Sequence, residues 1–227
     1  MSDGEFRVRN TRPGDFERIE DLSLKVYPND FPWTADYLSS HLDVFPEGQF
    51  VAVDAADYVV GMAASLIVNW EDYDHLDSYN DFTDRGYFRN HDPSGRTLYG
   101  AEVMVDPEFR GKGIGSLVYD ARRALVQELG LLRIRAGARL PGYAAVADRI
   151  NPRDYVLEVS KGTRYDATLS FQLKHGFHVL AIVPAYQVND PRSRNFAALI
   201  EWLNPDLATE EDYRRQRRYF LDTIHGE

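Results

Sequence analysis

Apolar and polar positions follow two periods through the first third of the chain. Alternation over residues 6–9 predicts a first strand, and apolar residues at helical spacing predict a helix over 16–26. A second helix is predicted over 34–44, because Pro46 and Gly48 follow it as stop signals. Apolar runs at 49–53 and 58–68 predict two strands. This part of the chain therefore reads as strand, two helices and two strands.

The second half of the chain repeats the two patterns. It predicts a central strand over 98–105, a helix over 114–129 and a strand over 132–138. A short helix over 168–175 ends at Gly176, and two last strands over 177–183 and 196–202 are expected to form a hairpin around Pro191. A separate amphipathic helix is predicted over 209–224.

Two long segments, 69–96 and 139–166, show no sustained period. Loops of this length inside a compact domain are usually functional or disordered. The first segment is rich in aromatic residues, which argues against disorder, and we expect it to form a lid or a pocket wall. The second contains a short helical piece near 152–161.

Charge and composition narrow the possible functions. The chain has 227 residues, a formal net charge of −10 and no cysteine. Its acidity argues against nucleic acid as a general partner, and the lack of cysteine removes thiolate catalysis and cysteine-bound metals. The six histidines show no ligand-like spacing, so no metal site is expected. The polar first nine residues and the lack of a long apolar run predict a cytoplasmic protein that does not enter the membrane.

Residues 105–115, Val-Asp-Pro-Glu-Phe-Arg-Gly-Lys-Gly-Ile-Gly, are the strongest chemical signal. They lie where a predicted strand leads into a predicted helix. The first turn of a helix has free N–H groups and the positive end of the helix dipole, so this turn is suited to a pyrophosphate. Two other phosphate-binding motifs fit less well. A Walker loop needs Ser or Thr after Gly-Lys, whereas Gly113 follows Lys112, and Arg135 and Arg139 occupy the region where a dinucleotide fingerprint needs an acidic residue.

The motif Arg110-x-x-Gly113-x-Gly115 in this context resembles the acyl-CoA-binding loop of the GNAT N-acetyltransferases. The run 173–177, Leu-Lys-His-Gly-Phe, is similar to the Gly-Phe pair that ends the family's late helix. The resemblance covers about residues 5–203. It implies an α/β fold with a mixed, mostly antiparallel sheet that is flanked by helices and carries two insertions. We divide the chain into an acyltransferase domain over 1–205 and a C-terminal amphipathic helix over 206–227.

The family resemblance also implies a reaction and a cofactor site. The chain is expected to move an acetyl group from acetyl-CoA, as co-substrate, directly to a primary amine of a small molecule or protein. The pyrophosphate is expected on the loop, and the pantetheine arm along the central strand. The implied cofactor-binding residues are Val103, Met104, Val105, Arg110, Gly111, Lys112, Gly113, Ile114 and Gly115.

The catalytic groups are less well defined by the resemblance. Glu102 is the only carboxylate of the central strand and is the candidate base, provided that a strand bulge turns it from the face set by strict alternation. Tyr99 lies at a cleft-facing position, and Gln172 stands where the family has its tyrosine acid. Tyr143 and Tyr165 are possible substitutes for that tyrosine. Candidate substrate-binding residues are Tyr143, Arg139 and His91.

A homodimer is a possible oligomeric state. Two other interpretations of the function remain open. Gln172 in place of a tyrosine also fits a domain that senses acyl-CoA and catalyses nothing. Residues 91–93, 98–100, 139–143 and 168–173 further resemble GNAT domains fused to nitrilase-like carbon–nitrogen hydrolases, which suggests an interaction domain for a separate amidohydrolase.

Overall fold

The computed structural model describes residues 5–28 and 32–225, with side chains as far as residue 218. Residues 1–4 and 29–31 of the predicted acyltransferase domain, and residues 226 and 227 of the predicted C-terminal segment, lie outside the described residues. The strands are β1 (Phe6–Asn10), β2 (Phe50–Asp54), β3 (Val59–Val68), β4 (Thr97–Val105), β5 (Arg133–Arg139), β6 (His178–Val183) and β7 (Ala197–Leu203). The helices are α1 (Phe16–Val26), α2 (Ala35–Val44), α3 (Tyr79–Thr83), α4 (Ile114–Glu128), α5 (Pro152–Ser160), α6 (Leu169–Lys174) and α7 (Glu210–His225).

The strands form one seven-stranded sheet in the order β1-β2-β3-β4-β5-β7-β6. Every neighbouring pair is antiparallel except β4 and β5, which run parallel. The predicted mixed, mostly antiparallel α/β fold is therefore confirmed. The hairpin expected around Pro191 is also present, because β6 pairs with β7.

Apolar side chains on both faces of the sheet form two cores. The face that we call the α4 face packs Ile114 and Val118 of α4, together with α5 and α6, against the sheet. The other face, which we call the α1 face, packs Ile19 and Leu22 of α1, with parts of α2 and α3. Strand β3 lies between these layers and is buried along its whole length, which matches its unbroken apolar sequence.

A bulge in β4 changes which side chains lie on each face. Ala64 of β3 pairs with Glu102, but the next residue, Ser65, pairs with Gly100, so Ala101 is the extra residue. Before the bulge, Leu98 belongs to the α4 core; after it, Val103 and Val105 do. Strict alternation in β4 therefore fails at this bulge.

The first long segment covers part of the α1 face. It contains α3, whose Phe82 stacks on Tyr99 with ring centroids 4.6 Å apart. Trp70 also stacks on Phe82, with ring centroids 5.1 Å apart, and its ring lies 4.1 Å from the Arg135 guanidinium carbon. The segment is therefore packed over β4 and β5, and its role as a lid or a pocket wall stays a prediction.

The C-terminal helix α7 lies against the edge strand β6. Its Gln216 amide donates to the Glu201 carboxylate of β7 at 3.2 Å. Glu201 also pairs with Arg135 at 2.7 Å, and both side chains are buried. In the described part of the chain, no helix is long and apolar enough to cross a membrane.

Candidate active site

The glycine-rich loop joins the end of β4 to the first turn of α4. Gly111 and Gly113 have φ angles of +79° and +82°, which favour glycine, and Gly113 is the residue directly before α4. A Cβ at either position meets no other atom within 4 Å, so the space over the loop is open. The first turn of α4 presents N–H groups without helical acceptors to this space. The loop therefore fits a pyrophosphate.

The other side of this helix start is closed by α6. A Cβ at Gly115 would lie 2.9 Å from the Phe171 ring, so this glycine allows α6 to pack closely. Ser116 donates to or accepts from His175 Nε2 at 2.9 Å, while the backbone carbonyl of Phe171 lies 2.8 Å from His175 Nδ1. These contacts fix α6 against α4.

Cationic side chains of the loop lie at the surface. Arg110 is exposed, and Lys112 pairs with Glu5 at 3.3 Å while its ammonium lies 5.2 Å from the Phe109 ring centroid. Both cations are thus within the loop and open to solvent. They can contribute charge toward a phosphate, although a surface pair of this kind is itself weak.

A buried carboxylate fixes the start of the loop. Asp106 is 1% exposed and accepts from Arg18 of α1 at 2.6 Å and from Lys25 at 2.8 Å. The Asp106 carboxylate also accepts a hydrogen bond from the backbone N–H of Glu108, two residues along the chain, at 3.0 Å. Asp106 therefore ties the loop to α1, a role that its position in the motif had not indicated.

An opening in the sheet lies beside the loop. β4 and β5 pair only over residues 97–99 and 133–135, although β4 continues to Val105 and β5 to Arg139. The side chains of Val103 and Val105 pack toward the α4 core, so what β4 offers to the opening is its main chain. An unpaired strand edge can bind an extended, amide-containing ligand such as a pantetheine arm.

The bulge brings Glu102 to the α1 face of this opening. Its carboxylate accepts a hydrogen bond from the Tyr27 hydroxyl, just after α1, at 3.0 Å, and another from the Val103 N–H at 2.9 Å. Burial raises the pKa of Glu102, and the Tyr27 hydrogen bond and the nearby Arg139 cation partly oppose that rise. A half-buried carboxylate with a raised pKa is suited to accept a proton.

Tyr99 lies on the same face but is already hydrogen bonded. Its hydroxyl lies 2.6 Å from the hydroxyl of Tyr186, which comes from the loop between β6 and β7. Burial raises the pKa of both phenols, and the negative charge of Glu102 adds to the effect on Tyr186. Both hydroxyls therefore stay protonated at neutral pH and can serve as hydrogen-bond donors.

Gln172 lies on the opposite, α4 face. Its amide nitrogen donates to the hydroxyl of Tyr119 at 3.0 Å, and its amide oxygen is buried without a hydrogen-bond partner. A buried polar atom of this kind is costly unless a ligand or water satisfies it. Gln172 and Glu102 thus lie on opposite faces of the sheet.

The other predicted site residues separate into two groups. Arg139 lies near Glu102: its charge acts on the Glu102 carboxyl, and its guanidinium carbon is 5.1 Å from the ring of Tyr27, which hydrogen bonds to Glu102. The Nε group of Arg139 donates to Asp190 at 2.7 Å. His91 instead accepts from the Ile67 N–H at 3.1 Å and stacks on Phe45. Tyr143 is 4% exposed within the α4 core. The contacts of His91 and Tyr143 favour structural roles, and their substrate role stays a prediction.

Neither Tyr143 nor Tyr165, the possible substitutes for the tyrosine acid, has a contact within the described ranges that favours this role. Tyr165 is 77% exposed, and the Tyr143 hydroxyl donates to the Ile150 carbonyl at 3.3 Å. The fold brings three hydroxyls near Glu102, those of Tyr27, Tyr79 and Tyr186, which sequence spacing could not indicate. Among the described residues, no group of three or more His, Asp or Glu side chains is placed to hold a metal ion.

Comparison with known proteins gives concordant results. The model of the acetyltransferase (GNAT) family matches residues 16–147. "Probable hydrolase YhcX" of Bacillus subtilis (strain 168) is 39% identical over 213 residues, which are 94% of this chain but only 41% of that protein. "Uncharacterized N-acetyltransferase YkwB" of the same organism is 34% identical over 201 residues, 87% of this chain and 88% of that protein.

A solved structure shows the same fold at low identity. GphF, a GNAT-like decarboxylase in complex with isobutyryl-CoA, superposes with a TM-score of 0.72 at 20% identity over 87% of this chain and 99% of that one. The glycine loop, the opening between β4 and β5 and the family match agree with one another. This chain is a member of the GNAT acetyltransferase family.

Proposed function

We propose that this protein transfers the acetyl group of acetyl-CoA directly to a primary amine. The observation that carries the proposal is the bulge in β4, which presents Glu102 at the opening between β4 and β5, next to the glycine loop. Acetyl-CoA approaches along the α4 face, and the amine reaches the thioester from the α1 face. CoA-bound GphF, which has this fold, supports an acyl-CoA site of this kind.

The residues assigned to acetyl-CoA divide into loop and strand. The pyrophosphate lies over the N–H groups of residues 110–115, with charge from Arg110 and Lys112. The pantetheine amides pair with the main chain of residues 103–105, where β5 has left β4. The open space over Gly111 and Gly113 supports the first assignment.

The proposed chemistry begins at Glu102, which takes one proton from the attacking ammonium, directly or through water, and passes it to solvent. The freed nitrogen lone pair attacks the thioester carbonyl carbon, and the main chain of β4 stabilises the oxyanion. The carbon–sulfur bond breaks and sulfur leaves with the electron pair. The second proton lost by the nitrogen neutralises that thiolate. Gln172 supplies a hydrogen bond near the leaving sulfur, in place of the family's tyrosine.

Direct transfer fits a chain without cysteine, since no thioester-forming side chain is available. The closeness of Glu102 and the glycine loop to the end of the β4–β5 ladder supports binding of both substrates together. This ternary arrangement predicts that acetyl groups do not accumulate on the protein in the absence of an amine. Intact-protein mass after incubation with acetyl-CoA alone should stay that of the free chain.

Thiol release from acetyl-CoA tests the proposal with little background, because the chain contains no cysteine to react with the thiol reagent. The purified protein is mixed with acetyl-CoA and a panel of primary amines, including lysine peptides, and products are identified by mass. We expect amine-dependent release of CoA together with an acetylated amine. CoA binding without turnover across the panel would favour the sensing role instead.

A malonyl-CoA arm belongs in the same experiment, because GphF is a decarboxylase with this fold. We expect the protein to transfer acetyl groups from acetyl-CoA and to release no carbon dioxide from malonyl-CoA. Decarboxylation without amine transfer would contradict it. This chain spans 41% of the length of the hydrolase-named relative. Co-purification with a separate hydrolase would therefore test the alternative role as an interaction domain.

A further inference from the structure

An arginine on α4 lies inside the protein, directly beneath the bulge of β4. Arg122 is 1% exposed and is among the largest fully buried side chains. Within the described residues no carboxylate pairs with it, since the ion pairs there involve other arginines and lysines. A buried guanidinium is expensive, and a well-packed apolar side chain is often at least as good for stability. Its contacts therefore need a reason other than stability.

The donors of Arg122 are directed at the bulge. One terminal nitrogen, Nη2, donates to the carbonyls of Ala64 and Glu102, both at 2.6 Å. The Nε group donates to the Ser65 hydroxyl at 3.0 Å. Ala64 and Ser65 are the two residues of β3 between which the register shifts, and Glu102 is the first residue of β4 after the shift.

Gly100, the residue of β4 before the bulge, provides room for this guanidinium. A Cβ at Gly100 would lie 3.0 Å from the other terminal nitrogen and 3.3 Å from the guanidinium carbon. Arg122 thus contacts the strand on both sides of the extra residue, Ala101. It satisfies carbonyl groups at the point where the regular ladder is disrupted.

We propose that Arg122 is a positioning residue for the transfer reaction: it holds the β4 bulge that turns Glu102 toward the α1 face. This inference rests on the proposed function for its kinetic consequences, but not for its structural ones. Without the bulge, alternation places the Glu102 side chain on the α4 face with Leu98. Arg122 does not touch either substrate in this account; it acts through the main chain and through its charge.

The charge of Arg122 has a second consequence for Glu102. Burial lowers the pKa of Arg122, while the negative charge of Glu102 works in the opposite direction. The attraction is reciprocal, so the cation favours the ionised form of Glu102. Removal of the cation should raise the pKa of the Glu102 carboxyl. A purely structural arginine elsewhere in the core would leave that pKa unchanged.

The test compares Arg122→Met and Arg122→Lys with a stability control on the same helix, Leu125→Ala. Leu125 is in the α4 core but makes none of the bulge contacts. We expect Arg122→Met to lower kcat at least tenfold, to keep the dissociation constant for CoA within twofold, and to move the acidic limb of the pH–rate profile to higher pH. Arg122→Lys should recover part of kcat, and Leu125→Ala should alter thermal stability alone.

A double-mutant cycle and a titration separate this inference from the proposed function. In a Glu102→Gln background, Arg122→Met should cause little further loss of kcat. The Glu102 carboxyl, followed by 13C NMR and assigned with the Glu102→Gln protein, should titrate at higher pH in Arg122→Met, whether or not any amine is acetylated. If Arg122→Met does not fold, Gly100→Ala displaces the guanidinium from the other side and should give the same directions.

An unchanged Glu102 titration together with an unchanged acidic limb would overturn the inference, as would full additivity of the two substitutions. If the wild-type protein acetylates none of the amines, the proposed function is wrong. The NMR titration of the Glu102 carboxyl in Arg122→Met would still decide the role of Arg122.

Discussion

Acidification should destabilise this protein in part through a buried histidine, His41 of α2. The side chain is 1% exposed, stacks on Phe88 with ring centroids 3.7 Å apart, and its Nε2 lies 2.7 Å from the Gly86 carbonyl. Burial lowers its pKa to about 4, and the Gly86 hydrogen bond only partly opposes that. His41 therefore joins α2 to the first long segment in its neutral form.

The size of the effect follows from the two pKa values. In the unfolded chain the imidazole titrates near its ordinary value of about 6.5, whereas in the folded protein it stays neutral down to about pH 4. The unfolded state binds more protons between these values, so stability falls as the pH is lowered through that range. The loss attributable to His41 is about 2 kcal/mol between pH 7 and pH 5, and about 3 kcal/mol once the pH is below 4.

Urea unfolding at pH 7, 6 and 5 measures this loss, with His41→Gln as the variant. Glutamine keeps an N–H donor for the Gly86 carbonyl but does not titrate. The wild-type protein should lose about 2 kcal/mol more than His41→Gln over this range. His178→Gln, at the exposed start of β6, is the matched control and should keep the wild-type slope. Equal slopes for wild type and His41→Gln would refute the argument.

Three further substitutions test the loop and the opening. Asp106→Asn leaves two cations without their buried carboxylate and should lower the free energy of unfolding by about 2–3 kcal/mol in urea, and an undiminished value would contradict the anchoring role. Gly113→Ala should cost about 1–2 kcal/mol of stability at its positive φ and should weaken CoA binding measured by calorimetry, because the methyl group enters the space assigned to pyrophosphate. Gly137→Ala places a Cβ within the Tyr186 ring; it should raise the KM for the amine while the dissociation constant for CoA stays the same, and equal changes in both would argue against Tyr186 lying on the amine side.

Local patterns were sufficient to predict the elements that position the site. The strand, glycine turn and helix around residues 105–115 are contiguous, and each carries its own signal in apolar period and turn chemistry. These features depend on residues close together in the chain.

The chemistry on the α1 face depends on contacts between distant residues. Tyr27 reaches Glu102 across 75 positions, and Tyr186 reaches Tyr99 across 87. No spacing rule links such residues, so Tyr143 and Tyr165 were considered in their place. The face on which Glu102 lies also depends on the bulge, because one extra residue reverses every later side chain.

Arg122 is the exception, since the sequence carried a sign of it. It lies four positions after Val118 on the helix stripe that faces the core, where an apolar residue is expected. An arginine at such a position needs buried acceptors, and the register shift between β3 and β4 supplies them. The pattern reveals the anomaly, but only the fold reveals which carbonyls it serves.

The most direct test of the central claim is the rate of amine-dependent CoA release by Glu102→Gln, measured against pH beside CoA affinity. We expect kcat to fall about 100-fold or more, the acidic limb assigned to Glu102 to disappear, and the dissociation constant for CoA to stay unchanged. A variant that acetylates amines at the wild-type rate, with the wild-type pH profile, would show that the carboxylate at the β4 bulge is not the base.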